Sequence, residues 1–349
     1  MRVGRRTVYN DITSPEKLAQ VNPENIQLGN DFLEYLSSID RAKSTIYQYN
    51  ANLNVFWCWN MEFNNNKFYV KITKREFAKF QNHAKNVYGW SPKRIRTVKA
   101  TLSSLGKYIE NILDDEFEGF RSIVNSIESP ADNPVREKSV FSEQELKDLL
   151  NKLERDGEYM YACMLALAMN SGRRKTELAE FKVAYFEDKN LICGGAMYKT
   201  PEKMRTKGRG SNGKMLDVYV LAKGFTHYLN LWMKERERLG IESQWLFPKV
   251  QCHNADCNEH ISTSAMDYAA SVFTKMLGQP FYWHSMRHFF TTKLVESNIP
   301  DSVIQAVIGW DSVEMVKVYS DVTPEAQFEK YFGGEDGIKK VEQGSLTRL

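Results

Sequence analysis

The amino-acid sequence predicts a mainly helical protein of two domains, the second carrying a small antiparallel β-sheet. Three observations predict it. Apolar residues recur at steps of three and four on both sides of residue 130. A short stretch rich in proline and charge interrupts them, and two apolar runs too short for helices flank a glycine-rich basic segment. The length, 349 residues, suits two cores of ordinary size better than one.

Residues 1–25 are polar, hold Pro15 and Pro23 and show no sustained period, so they read as an N-terminal extension. Residues 26–128 read as a helical domain. From Ser44, a suitable N-cap, Ile46, Tyr49, Leu53 and Phe56 form one apolar stripe. A second helix opens with Ser91-Pro92, a cap followed by proline at the first helical position, and repeats Ile95, Val98, Leu102, Leu105, Ile109 and Ile112. Residues 129–141 contain SPADNPVREK and read as an extended linker. Residues 142–332 begin with Ser142 and Glu145 three apart, a capping-box pattern, and form the second domain. Within it, residues 185–194 and 215–221 read as short strands around a hairpin loop at 203–214. Residues 333–349 are a polar, glycine-rich tail.

Composition narrows the function classes. Hydrophobic residues make up 42% and charged residues 26%, a globular mixture. No run approaches the roughly 18 apolar residues of a membrane span, and no apolar run follows the basic N-terminus, so a soluble cytoplasmic protein is expected. Five cysteines form no framework and suit a reducing compartment. Cys252, His253, Cys257 and His260 lie close together but lack a Cys-x2-Cys pair, so a polar loop is favoured over a zinc site. Net charge is only +3, yet between Arg173 and Lys214 eleven Lys or Arg face five Asp or Glu. Such a local excess attracts polyanions, and a solvated surface produces the same pattern. The second helix raises the same pair of readings. Lys93, Arg96, Ala100, Ser103 and Lys107, with Thr97, Thr101 and Ser104 beside them, form either a plain solvated face or one that meets DNA phosphates.

Two clusters carry chemistry: Ser171-Gly172-Arg173-Arg174-Lys175-Thr176-Glu177-Leu178, then His284-Ser285-Met286-Arg287-His288 with Ile308-Gly309-Trp310 and Val318-Tyr319 behind it. Attack on a phosphodiester needs a nucleophile, cations for the non-bridging oxygens and a proton for the leaving oxygen. Arginines supply planar, permanently charged forks, and Tyr, His and Lys supply the other roles without a metal or nucleotide. No P-loop, dinucleotide fingerprint or serine elbow competes.

With these boxes in this order, residues 26–332 resemble the tyrosine recombinase (phage integrase) family. Its first box, small-Gly-x-Arg-x-x-Glu-Leu, is met by Ser171, Gly172, Arg174, Glu177 and Leu178, which selects Arg174 rather than Arg173 as the clamp. His284, Arg287 and His288 meet His-x-x-Arg-His, and Ile308-Gly309-Trp310 meets Leu-Gly-His or Leu-Gly-Trp. Trp310 stands 23 residues after Arg287, and Tyr319 nine after Trp310. Trp310 replaces a frequent histidine: it can donate a hydrogen bond but cannot shuttle protons. The family's hairpin lysine matches Lys207 in Lys207-Gly208, with Lys203 and Lys214 as rivals.

The resemblance implies a two-domain clamp around double-stranded DNA, with a helical core-binding bundle and a mixed helical catalytic domain. It implies a site-specific recombinase in which Tyr319 forms a 3′-phosphotyrosine link. Arg174, Arg287, His284, Lys207 and Trp310 share the active site, with Glu177 and His288 supporting them. It implies no cofactor and no metal, a monomer when free, and a homo-tetramer on two DNA sites that exchanges strands through a Holliday junction. Lys93, Arg96, Thr97, Thr101, Ser103, Lys107, Arg205 and Arg209 are the expected DNA contacts. A type IB topoisomerase-like relaxase and a DNA-binding regulator without strand exchange are the alternatives.

Overall fold

The computed structural model describes residues 12–131, 141–206, 213–249 and 259–319, with Val318 and Tyr319 by backbone alone. The described residues divide into two compact units, the first built on residues 12–131 and the second on residues 141–206 and 214–319. Among the described residues, no helix is long and apolar enough to cross a membrane.

The N-terminal unit is a helical bundle: α1 (Pro15–Leu18), α2 (Pro23–Ser38), α3 (Lys43–Phe63), α4 (Lys74–Asn86) and α5 (Pro92–Ile112). Its start corrects the expected extension. Ser14 and Asn22 cap α1 and α2, so Pro15 and Pro23 occupy first-turn positions where a missing N–H costs nothing. Ile12 and Val21 are buried in the same core as Leu28 and Phe32. The expected stripe of α5 lies inward, with Ile95, Val98, Leu102, Leu105 and Ile109 buried, while Ile112 at the last turn is exposed. In α3 burial exceeds one stripe. Val55, Phe56, Trp57, Cys58 and Trp59 are all buried, because neighbours cover this stretch on every side.

The C-terminal unit begins with α6 (Glu143–Arg155), capped by the Ser142–Glu145 box, and continues into α7 (Tyr159–Ser171) and α8 (Lys175–Ala179). Among the described residues, five short strands follow: β1 (Leu191–Ile192), β2 (Met197–Lys199), β3 (Met204–Thr206), β4 (Lys214–Leu216) and β5 (Tyr219–Leu221). β2 lies between β1 and β5 in one antiparallel sheet, and β3 pairs with β4 in another. Two expectations change here. Most of 185–194 forms 3₁₀ turns, leaving strand only at Leu191–Ile192. The expected 203–214 loop contributes β3 and the start of β4, in the register Met204↔Leu216, Arg205↔Met215 and Thr206↔Lys214. Polar Thr206 fits this ladder because its hydroxyl donates to the Lys214 carbonyl at 2.8 Å. Lys207 and Arg209 lie outside the described residues.

Helices α9 (Thr226–Arg238), α10 (Thr263–Leu277), α11 (Trp283–Glu296), α12 (Asp301–Ile308) and α13 (Glu314–Tyr319) complete the unit. The main core gathers α6, α9, α10 and the start of α11 around α7, which is buried from Ala162 to Ser171. A smaller core of Phe290, Leu294, Ile304, Ile308, Trp310 and Val316 joins α11, α12 and α13. Cys252, His253, Cys257 and the 333–349 tail lie outside the described residues. His260 packs edge-on against Trp245, with ring centroids 5.2 Å apart.

Candidate active site

The first arginine box is a turn whose shape its small residues dictate. α7 ends at Gly172 in the left-handed conformation (φ 59°), where a side chain is strained. Space is also lacking, since a Cβ there would lie 2.6 Å from Cδ1 of Phe290 on α11. Ser171 is fully buried, and its hydroxyl donates to the Leu167 carbonyl at 2.6 Å. Gly172→Ala is therefore expected to destabilise this unit by about 2–4 kcal/mol, combining left-handed strain with displacement of Phe290. Thermal unfolding would show it. A loss below about 1 kcal/mol would mean that Phe290 moves aside freely.

Beyond the turn, Arg174 stands at the N-cap of α8. The buried Glu177 carboxylate accepts from the Arg174 backbone N–H at 3.2 Å and from its Nη1 at 2.8 Å. The Arg174 side chain stays about one-third exposed (32%), so part of its fork faces solvent.

The second box lies on one face of α11, where His284, Arg287 and His288 follow the spacing of a single turn. Trp283 anchors the start of this helix, its indole N–H donating to the Met266 carbonyl at 2.8 Å. His284 is exposed and His288 half-buried, and their rings meet edge-on at 5.4 Å. Arg287 is completely buried. Its Nη1 donates to the Gly172 carbonyl at 2.9 Å and its Nη2 to that of Ile308 at 3.4 Å. The same guanidinium lies 5.2 Å from the Trp310 ring. One side chain thus touches the first arginine box and the Ile308-Gly309-Trp310 segment together.

That segment is the left-handed end of α12, with Gly309 at φ 74°. A Cβ on Gly309 would meet Leu216 Cδ1 of β4 at 2.5 Å, so the β3–β4 hairpin leans directly on this turn. Lys214 of β4 pairs with Asp311, and that hydrogen bond, with the Arg174 charge adding to it, holds the Asp311 carboxyl below its ordinary range. Val316 packs α13 into the small core with Trp310, and Tyr319 follows one turn later as the last residue of the helix. Of the hairpin lysines, Lys203 is exposed just before β3, while Lys214 is occupied with Asp311.

The family model described as "Phage integrase family" covers residues 139–326. The SPbeta prophage-derived recombinase-like protein YomM of Bacillus subtilis (strain 168) is 30% identical over 281 residues, 79% of this chain and 80% of its own. The chain belongs to the phage integrase family of tyrosine recombinases. Two solved structures share the fold at low identity. One is the XerH site-specific recombinase bound to a palindromic difH substrate in a post-cleavage complex (TM-score 0.62, 15% identity, 93% of this chain and 92% of that one). The other is a lambda integrase tetramer bound to a Holliday junction (TM-score 0.60, 13% identity, 84% and 76%).

In this recombinase the expected DNA contacts of the N-terminal unit divide into three groups. Lys93, Thr97 and Lys107 are exposed on α5, and Arg96 and Ser103 are half-buried. Arg96, Ser103 and Lys107 line a groove of about 430 Å³, closed on its other side by Asn125, Ile127 and Ser129. Thr101 is a correction. Three residues after Val98 and four before Leu105, it points into the core and is fully buried. Its hydroxyl accepts from Asn52 Nδ2 at 2.8 Å and donates to the Thr97 carbonyl, so it serves packing rather than DNA. The exposed stripe is instead Lys93, Thr97, Ala100 and Lys107. Arg205 is exposed on β3.

Sequence reasoning passed over two cations. Lys99 lines the same groove and donates to the Ile127 carbonyl, and its amine is pushed below its ordinary range by burial and by Arg96. Arg173 was set aside for its neighbour because the family box leaves that position open.

Proposed function

We propose that this protein cleaves and rejoins duplex DNA at a specific site, with Tyr319 as the nucleophile. The observation that carries the reading is the Arg287 guanidinium, which brings the two arginine boxes and the Trp310 turn to one point.

In this reading Arg174 and Arg287 clamp the non-bridging oxygens of the scissile phosphate, where charge builds in the transition state. The Tyr319 oxygen forms a bond to phosphorus as the bond to the 5′ oxygen breaks. The products are a 3′-phosphotyrosine and a 5′-hydroxyl. A 5′-hydroxyl from a partner strand then attacks the same phosphorus and expels the tyrosine, so one phosphodiester replaces another and no nucleotide is consumed. His284 and Trp310 position phosphate oxygens, and Glu177 and His288 hold the arginines and histidine in place. Lys93, Arg96, Thr97, Ser103, Lys107, Arg205 and Arg209 contact the backbone and set the register. Four copies on two sites exchange strands through a four-way junction, the assembly in which lambda integrase has been solved. The test is to trap protein joined to DNA, sequence the DNA and map the attached peptide. A tyrosine link at one recurrent sequence supports recombination. A link at any sequence would make the protein a relaxase, and a link through another residue would overturn the reading.

Lys207 is assigned the proton that the departing 5′ oxygen needs. A lysine near arginines is more acidic than usual, since like charge and desolvation both disfavour the ammonium. Lys207→Ala is expected to be slow on ordinary DNA, yet near wild type where sulfur replaces the bridging 5′ oxygen, because thiolate leaves without a proton. Equal slowness on both substrates would remove Lys207 as the acid and bring Lys203 and Lys214 forward.

A further inference from the structure

Arg173 is an expensive residue for a protein to bury. Only 1% of it is exposed, and its Nη2 donates to the Val307 carbonyl. Its Nε and Nη1 have no hydrogen-bond partner among the described residues. The nearest carboxylate, Glu177, is 3.9 Å from Nη1 and is already engaged by Arg174 at 2.8 Å. Burial, with the Arg174 charge adding to it, pulls the Arg173 guanidinium down to about 10, so it still carries its charge at neutral pH. A buried cation with so few partners destabilises a fold, and an apolar residue of similar volume would pack there at less cost.

Its surroundings suggest what offsets that cost. Val307 and Ile308 are the last two residues of α12, and their carbonyls accept from Arg173 and Arg287 respectively. Two guanidinium groups therefore cap one helix end, where positive charge is favoured. A Cβ at Gly309 would lie 3.7 Å from Arg173 Nη1, so Arg173 sits directly under the turn that presents Trp310. In sequence it precedes Arg174.

We propose that Arg173 is a buried positioning residue of the scissile-phosphate site, an inference that rests on the reading of that site given above. Through Val307 it holds the Trp310 turn against the arginine box. Its under-partnered charge biases the site towards an anionic phosphate before DNA arrives. It touches no reacting atom and acts through Arg174, Arg287 and Trp310.

The test uses the full chain, Arg173→Met and Arg173→Lys, and single-turnover formation of the covalent adduct. Arg173→Met is expected to unfold at the same temperature as wild type or higher. It is expected to bind DNA within threefold of wild type and to cleave about 10- to 100-fold more slowly, the range seen when residues that orient a site are removed. Arg173→Lys is expected to recover most of the rate. On DNA whose scissile phosphate carries a methyl group in place of one non-bridging oxygen, and is therefore neutral, the defect of Arg173→Met is expected to shrink below about threefold, since phosphate charge is what the cation senses.

An Arg173→Met protein that melts lower or does not fold would overturn the inference, because it would make Arg173 a structural strut. Unchanged cleavage would overturn it too, as would a defect that Lys does not relieve or that persists on the neutral phosphate. Wild-type protein that forms no adduct on any DNA would refute the reading of the site itself. A wild-type adduct with an unaffected variant refutes only the role of Arg173.

Discussion

Tyr319→Phe is expected to bind DNA as wild type does and to leave no covalent protein–DNA product. The substitution removes one oxygen and keeps the ring, so whatever packing the side chain makes is retained. Val316, one turn earlier, still anchors α13 in the core with Trp310 and Phe290. On the reading proposed above, no phosphodiester bond can be exchanged without that oxygen, so the loss should reach the detection limit, on the order of 10³-fold or more, as for removal of a covalent nucleophile. A denaturing gel of labelled DNA after incubation with protein checks it. Undiminished adduct would place the nucleophile elsewhere, and loss of binding together with cleavage would show a folding defect instead.

Much of this architecture was legible because local signals and packing agree. Ser91-Pro92 and Ser142–Glu145 begin helices where their caps place them. The 3,4 repeat of α5 is the face that the bundle buries. Legibility failed where one residue type serves two purposes. Pro15 and Pro23 break chains and also start helices, and only the buried Ile12 and Val21 around them show which applies. Thr101 is polar, yet a hydroxyl satisfied by Asn52 belongs to a core as readily as to a surface. The strands at 197–199 and 204–206 are three residues each, too short for alternation to be seen.

The candidate site follows the same division. Spacing along the chain placed Arg174, His284, Arg287, Trp310 and Tyr319 in one set. Contacts across 115 and 21 residues, from Arg287 to Gly172 and to Ile308, were invisible to it. The importance of Gly172 and Gly309 was readable as motif letters, but the reason lies in Phe290 and Leu216, which no spacing rule connects to them. Arg173 marks the limit: a single sequence shows a charged residue beside another, and only burial distinguishes a surface charge from an interior one.

Arg174→Ala and Arg287→Ala are each expected to slow cleavage by about 10³-fold, because on the proposed reading each removes one of the two guanidinium groups that clamp the phosphate. They should differ in everything else. The Arg174 side chain is partly exposed, so its loss leaves the fold largely intact, with Arg173 still near the Glu177 carboxylate. Arg287 is completely buried, and its removal leaves the carbonyls of Gly172 and Ile308 without their donor and a gap beneath Trp310. Arg287→Ala should therefore also lose about 3–5 kcal/mol of stability, the range for breaking a buried charged network. Arg287→Lys separates the two effects. It restores positive charge in a similar volume but lacks the planar fork that reaches two acceptors at once. Its melting temperature is expected to return most of the way to wild type, while cleavage remains more than about tenfold slow. Single-turnover cleavage and thermal unfolding on the same preparations give both numbers. A loss in cleavage below tenfold for either alanine variant would put the phosphate clamp on other residues, with Arg173 the first to examine.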